Sequence, residues 1–264
     1  MLSSKASRQI GAAPVLAWVM LVGLAVVGPV AAWHGVPVRL GWSETGLLLI
    51  SGGGNVIGLL LTYKAYRIGK VGIIAPIAST EGAVAALIAV LAGEHLTVAE
   101  AATLGLITVG IVLAAVASAE EEVVHTNHWR SVLYAGGAAL AFGASLYATG
   151  RVGDRMPVAW VILAARLIGV AAVAVPLAAR RGLVLTRQAA PLVVVCGLAE
   201  VLGFVAFTIG SRDSLAISAV IASQFAGLSA VAAFVLFRER LRRIQVAGVV
   251  AIALGVAALS ALHA

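Results

Sequence analysis

Nine apolar stretches, each about 20 residues long, run through this sequence of 264 residues and leave only short connections between them. About 20 consecutive apolar residues is the length that an α-helix needs to cross the ~30 Å hydrocarbon core of a bilayer. Because lipid offers no hydrogen bonds, each stretch must satisfy its own backbone, and a helix does so. We therefore predict spans at residues 12–33, 44–63, 71–92, 98–117, 131–150, 157–179, 189–210, 214–237 and 244–262.

The composition excludes the main classes of water-soluble protein. Hydrophobic residues make up 62% of the chain and charged residues only 11%, which is too few to cover the surface of a soluble fold. The single cysteine cannot form an intrachain disulfide. The continuous apolar runs also lack the alternation that is typical of membrane strands. We therefore expect an all-α, multi-pass integral protein of the cell membrane, either a plasma or an inner membrane.

The net charge of +7 is explained by topology. Of the 18 Lys and Arg residues, 13 fall at one set of alternate loops and 4 at the other, with Arg166 inside a span. The positive-inside rule puts the larger set in the cytoplasm and the C-terminus outside. We expect no nucleic-acid partner. The sequence contains no phosphate-binding glycine loop, HExxH motif or Cys/His metal spacing, so we expect no cofactor, metal or catalytic residue.

The two halves of the sequence are similar to each other. Residues 77–80 (Ile-Ala-Ser-Thr) match residues 221–224 (Ile-Ala-Ser-Gln) at an offset of 144. Residues 93–96 (Gly-Glu-His-Leu) match residues 238–241 (Arg-Glu-Arg-Leu) at an offset of 145. Two copies of one helical unit are typical of a transporter whose site lies where the copies meet.

These motifs resemble the EamA-type repeat of the drug/metabolite transporter superfamily. The resemblance rests on residues 65–77 and 93–96, each leading into a span, and on the second copy that ends at 238–241. It implies two inverted five-helix repeats, alternating access, and transport of a small metabolite without nucleotide hydrolysis. It also implies a structural role for Glu94 and Glu239, in an element that caps a helix and shapes a loop.

The chain divides into a first EamA-like repeat at residues 1–117, a connecting loop at 118–130 and a second repeat at 131–264. We predict four spans in the first repeat and five in the second, because the span at 131–150 has no counterpart before residue 12. Residues 2–11 resemble the tail of such a helix, so we expect either a late start or a nine-span variant. Members of the family more often keep the C-terminus inside, which conflicts with the charge count.

Polar side chains inside spans are costly and are therefore candidates for function. Three ionisable residues lie deep within spans: Glu81, Arg166 and Glu200. The repeat pairs Asn55 with Glu200, and we expect these two to converge near the middle of the membrane. Arg166 is expected either to bind an anionic substrate or to neutralise one of the glutamates. The predicted substrate-binding residues are Asn55, Thr80, Glu81, Tyr147, Arg166, Glu200 and Gln224.

We expect a secondary transporter of a small polar or amphipathic metabolite, driven by protons or by exchange. Glu81 and Glu200 are the candidate proton-coupling groups, because a low dielectric disfavours a carboxylate relative to its neutral form. The alternatives are a membrane-embedded enzyme and a non-transporting interaction protein. An embedded enzyme would need clustered catalytic groups, and no histidine lies inside a span, so we expect no enzyme. The expected partners are the substrate and the lipid bilayer, with the protein as a monomer or homodimer.

Overall fold

The computed structural model of the protein describes residues 2–33, 35, 41–69, 74, 77–119, 128–224 and 243–262. Within these ranges the regular structure is entirely helical, without a strand. The helices are α1 (Leu2–Ile10), α2 (Ala12–Trp33), α3 (Trp42–Ile68), α4 (Glu81–Leu91), α5 (Val98–Ala119), α6 (His128–Gly153), α7 (Val158–Ala179), α8 (Ala190–Gly210), α9 (Leu215–Ala222) and α10 (Arg243–Leu262). A π-helical turn at Val170–Ala174 interrupts α7.

Five of these helices are long and apolar enough to cross a bilayer: α2, α3, α6, α7 and α8. They coincide with five of the nine predicted spans. Helices α5 and α10 cover two further predicted spans and contain shorter apolar segments, Val98–Gly110 and Val246–Gly255. The predicted spans at 71–92 and 214–237 include residues outside the described ranges, as does the motif at 238–241. The total of nine spans stays a prediction.

Helix α3 extends further than the sequence predicts. The predicted span stops at residue 63, before Lys64, whereas the helix continues to Ile68. Lys64 and Arg67 are both exposed on this extension. Long basic side chains can keep their charged ends in water while their stems cover apolar surface, so a charged residue does not have to end a membrane helix.

Glycines allow the helices to pack closely, as their abundance predicts. A Cβ atom on Gly54 of α3 would lie 2.7 Å from the carbonyl oxygen of Ala141 on α6. A Cβ atom on Gly110 of α5 would lie 2.8 Å from the carbonyl oxygen of Gly248 on α10. Either position therefore needs a residue without a side chain, because the obstacle is backbone of the neighbouring helix.

The tryptophans Trp18 and Trp160 hold loops in a reciprocal arrangement. Trp18 of α2 donates its indole N–H to the carbonyl oxygen of Val184, in the loop after α7, at 3.2 Å. Trp160 of α7 donates to the carbonyl oxygen of Gly35, after α2, at 2.6 Å. The beginning of each helix thus lies beside the end of the other, so α2 and α7 pack side by side in antiparallel directions.

Glu94 caps a helix of the second half of the chain, in keeping with the structural role that the family resemblance implies. One of its carboxylate oxygens accepts hydrogen bonds from the Ser214 hydroxyl at 2.9 Å and the Ala216 amide at 3.2 Å. These are donors at the first turn of α9, where backbone N–H groups have no partner within the helix. Glu239, the predicted counterpart, lies outside the described residues.

Two neighbouring glycines test how tightly α3 must pack. A Cβ atom on Gly52 would lie 2.9 Å from the Cα atom of Ala165, whereas one on Gly53 meets nothing within 4 Å. We expect Gly52→Ala to lower the free energy of unfolding by about 1–3 kcal/mol through overpacking. Gly53→Ala, the matched control, should be neutral or slightly stabilising. Thermal unfolding of both variants in detergent measures the difference, and equal effects would contradict the close packing of α3 on α7.

Candidate functional site

A cavity of about 460 Å³ lies between α3, α4, α6 and α8. Its walls are largely apolar and aromatic, with a few polar groups among them. Such a combination is typical of small-molecule sites, where apolar walls supply contact area and a few polar groups give orientation. The lining residues are Asn55, Leu59, Thr62, Tyr63, Tyr66, Ala78, Glu81, Phe142, Ser145, Leu146, Cys196, Ala199, Glu200, Gly203, Phe204, Phe207 and Ala222.

The two halves of the chain contribute equivalent positions to this cavity. On α3 and on α8 the lining residues recur every three or four positions, so each helix presents one face. At the repeat offset of 145, the α3 residues Asn55, Leu59 and Thr62 correspond to Glu200, Phe204 and Phe207 of α8. Ala78 and Ala222 correspond at the offset of 144 and also line the cavity.

Asn55 and Glu200 meet, as the repeat predicts. Asn55 is the middle residue of α3, and Glu200 is the middle residue of α8. The Asn55 amide Nδ2 donates a hydrogen bond to Glu200 Oε1 at 2.8 Å. The sequence-predicted convergence of these two positions is therefore confirmed.

Arg166 holds the second oxygen of the same carboxylate. Its Nη1 atom donates to Glu200 Oε2 and lies 3.4 Å from the sulfur of Met20. The guanidinium carbon lies 5.6 Å from the centre of the Phe204 ring, within the range of a cation–π contact. Arg166 is completely buried, whereas the Glu200 side chain is 17% exposed. Of the two expected roles of Arg166, the geometry favours neutralisation of a glutamate.

A glycine of α2 makes room for the arginine. A Cβ atom on Gly23 would lie 2.7 Å from Cδ and 2.9 Å from Nε of Arg166. Among the described residues, Nε and Nη2 of Arg166 have no hydrogen-bond partner, so only part of the guanidinium is satisfied. A buried arginine in this condition depends strongly on its one carboxylate, since a lone buried charge is very costly.

Glu81 has no such partner. It is the first residue of α4, lines the cavity and is partly exposed there. No hydrogen bond or ion pair joins its carboxyl group to another residue in the described part of the chain. Its position at a helix N-terminus is favourable for a negative charge. The two deep glutamates therefore differ: Glu200 is paired with Arg166, and Glu81 is not.

Tight turns lie at both of the matching motifs, 77–80 and 221–224. The amide of Thr80 donates to the carbonyl of Ile77 at 3.2 Å, and the amide of Gln224 donates to the carbonyl of Ile221 at 3.3 Å. Both bonds span three residues rather than four, which marks a tight turn. Helix α4 begins directly after the first turn, and α9 ends directly before the second. Breaks in membrane helices at corresponding positions of two repeats point to a binding site in proteins that are built from such repeats, and these two turns lie at corresponding positions.

Three of the predicted site residues do not line the cavity. The Thr80 hydroxyl donates to the carbonyl of Ile77 at 2.7 Å, so it serves the turn itself. Tyr147 packs against an apolar cluster of α4, α5, α9 and α10. Gln224 lies at the second turn, and its Nε2 atom is buried without a partner among the described residues. A substrate contact from these three residues stays an untested prediction.

Several cavity residues escape the sequence-based search for buried charges. Thr62, Tyr63 and Tyr66 lie seven, eight and eleven residues after Asn55, on the same face of α3. The helical period counted from Asn55 could have found them. The aromatic residues of α6 and α8 have no comparable signal, because phenylalanine is ordinary in any membrane helix.

The pairing of Arg166 with Glu200 can be tested by a double-mutant cycle. Glu200→Gln leaves the arginine charge buried and uncompensated, and we expect a loss of about 3–5 kcal/mol of stability. Arg166→Met should cost less, because the carboxyl that remains faces the cavity and can take up a proton. The double variant should be more stable than Glu200→Gln alone, by thermal or denaturant unfolding.

The control for this cycle is Glu44→Gln, which removes the partner of Arg155. That arginine side chain is 50% exposed, and exposed ion pairs contribute little to stability. Additive effects of the two substitutions at Glu200 and Arg166 would contradict the buried pair.

Comparison with known proteins agrees with the family that the motifs suggest. Residues 1–116 match the model of the EamA-like transporter family. A solved crystal structure, described only as that of a protein, is similar with a TM-score of 0.76 and 20% identity, over 99% of this chain and 91% of that chain. At this identity the likeness shows the fold alone. No curated protein sequence matches the chain. The protein is thus a multi-pass membrane protein whose residues 1–116 are similar to the EamA-like transporter family of the drug/metabolite transporter superfamily.

Proposed function

We propose that the protein is a secondary transporter that moves a small metabolite across the cell membrane by alternating access through this cavity. The observation that carries the proposal is the hydrogen bond between Asn55 and Glu200. These residues occupy equivalent positions of the two halves, in the middle of their helices, in the wall of the cavity. A site at the interface of repeats, near the midplane, is what alternating access requires.

The two repeats, at residues 1–117 and 131–264, are inverted with respect to each other in this proposal. Equivalent helices of inverted repeats run in opposite directions through the membrane. Helices α2 and α7 are such a pair, and their antiparallel packing supports the inversion. The reciprocal hydrogen bonds of Trp18 and Trp160 support it as well, because an approximate two-fold axis in the membrane plane would exchange them.

The proposed coupling group is Glu81 rather than Glu200. Arg166 and Asn55 already hold the two oxygens of the Glu200 carboxylate, whereas no described residue holds the carboxyl group of Glu81. An uncompensated carboxylate is costly when the cavity is closed to water and stable when it is open. Glu81 would therefore take up a proton on one side and release it on the other. Each proton that enters with the membrane potential releases about 2.3 kcal/mol per 100 mV, enough for about forty-fold accumulation of a neutral solute.

The cavity walls favour a small amphipathic substrate. Tyr63, Tyr66, Phe142 and Phe207 offer ring surfaces, while Asn55 and the two glutamates offer hydrogen bonds. Aromatic side chains bury a large area and leave few polar groups to orient a ligand. A substrate with an apolar body and one polar end fits this distribution better than one that carries a polar group on every carbon atom.

Proton coupling can be tested by Glu81→Gln, which keeps the size of the side chain but removes its titration. In proteoliposomes we expect this variant to lose net uptake driven by a pH gradient while it retains exchange of substrate for substrate. Glu44→Gln, outside the cavity, is the control and should keep both activities. Normal gradient-driven uptake by Glu81→Gln would mean that protons are coupled through another group, whereas uptake by the parent protein that does not respond to the pH gradient would mean a facilitator or an exchanger.

The sole cysteine provides a direct probe of the cavity and of candidate substrates. Cys196 lines the cavity and lies one helical turn before Glu200. We expect a small thiol reagent to modify Cys196 and a bound substrate to slow this modification several-fold. The control combines Cys196→Ser with Arg187→Cys, which moves the thiol to an exposed loop that substrate should not protect. A transported compound that leaves the modification rate of Cys196 unchanged would argue against transport through this cavity.

A further inference from the structure

A second, basic pocket lies at the end of the bundle where α3 ends and α6 begins. It has a volume of about 290 Å³ and is lined by Lys64, Arg67, Ile68, Arg130 and Tyr134. We call it the basic pocket. It shares no lining residue with the transport cavity, although both have lining residues near the end of α3.

Three positive charges face this pocket without a negative partner in the described part of the chain. Lys64, Arg67 and Arg130 are all exposed, and none forms an ion pair or side-chain hydrogen bond with a described residue. Lys64 and Arg67 lie three residues apart on α3, so their like charges repel each other. Arg130 of α6 adds a third charge from the facing helix. An anion bound between them would remove this repulsion.

The depth of the three side chains identifies the source of the anion. From the middle of α3 at Asn55, a rise of 1.5 Å per residue puts Lys64 about 14 Å and Arg67 about 18 Å towards the helix end. Arg130 is about 16 Å from the middle of α6 by the same measure. The hydrocarbon core extends about 15 Å from the midplane, with the headgroup layer directly beyond it. By this measure the three residues lie within about 3 Å of the edge of the hydrocarbon core, from which long basic side chains can extend to the lipid phosphates.

We propose that the basic pocket binds the phosphate of an anionic phospholipid. Arginine presents its N–H donors in a fork that matches two phosphate oxygens, and lysine adds a point charge. Ile68 offers an apolar surface to the lipid beside the charged groups. The charge count assigns this end of the bundle to the cytoplasm, and the cytoplasmic leaflet is the one that carries anionic lipids.

The pocket and the transport cavity meet on one turn of α3. Tyr66 lies between Lys64 and Arg67 in the chain and lines the transport cavity, whereas Lys64 and Arg67 line the basic pocket. A phosphate that joins the end of α3 to α6 would hold this turn in place. The bound lipid thus stabilises the part of the cavity wall that Tyr66 forms.

The test compares lipid binding by the purified protein in neutral detergent. Phosphatidylglycerol, phosphatidylcholine and inorganic phosphate are added separately, and bound lipid is measured by native mass spectrometry together with the unfolding temperature. The pocket variant is Lys64→Gln/Arg67→Gln/Arg130→Gln. The control, Arg180→Gln/Arg181→Gln/Arg187→Gln, removes three exposed charges from the same end of the bundle outside the pocket. Arg130→Gln alone serves as a milder variant if the triple pocket variant does not fold.

We expect phosphatidylglycerol to bind and stabilise the parent protein and the control, and phosphatidylcholine to do neither. Affinity should fall about fivefold for each pocket charge removed. Equal losses in the pocket variant and the control would overturn the proposal in favour of a general surface charge effect. Stabilisation by inorganic phosphate as strong as that by phosphatidylglycerol would overturn the lipid as ligand. An unchanged affinity of the pocket variant for phosphatidylglycerol would overturn the proposal, because it would mean that these three charges take no part in lipid binding.

Discussion

The buried charge of Arg166 is the constraint on which the centre of the molecule depends. A guanidinium group that is completely shielded from water must have a carboxylate beside it, and Glu200 is that carboxylate. The remaining oxygen of Glu200 is held by Asn55 of α3. One carboxyl group therefore connects α3, α7 and α8. Gly23 brings α2 into the same arrangement, because the arginine side chain runs through the space that a larger residue would fill.

This arrangement distinguishes the two acids of the cavity by their partners. Glu200 is committed to a structural ion pair that also forms part of the cavity wall. Glu81 begins the short helix α4 directly after the turn at 77–80, and a change in its charge breaks no hydrogen bond or ion pair with a described residue. Its counterpart in the second half is Phe225 by the repeat offset, so the two halves are equivalent in backbone pattern but not in chemistry. The proposed proton coupling uses this difference, because only the first half offers a carboxyl group at this position.

Close helix packing gives the cavity its shape. Glycine brings helix backbones together at Gly54, where α3 packs against α6, and at Gly82, where α4 packs against α9. No space remains for a ligand at these contacts. Aromatic residues on α3, α6 and α8 hold the helices apart in between. In lipid, where apolar contacts between helices gain nothing over contacts with acyl chains, such differences in packing decide which helices touch. The cavity is thus the part of the interface where larger residues keep the helices apart.

Much of the fold follows from the sequence alone. The length of the apolar runs predicts the spans, because the hydrocarbon core imposes the same requirement on every segment. The internal repeat predicts the meeting of Asn55 with Glu200, since equivalent positions of two related units converge about their common axis. The tertiary structure decides what depends on distances between remote segments. It pairs Arg166 with Glu200 rather than with Glu81, brings Tyr63 and Tyr66 to the cavity, and leaves Tyr147 in an apolar cluster. A sequence identifies which side chains are costly to bury, but only the packed helices determine which of them share a site, because electrostatic and hydrogen-bond energies depend on separations of a few ångströms.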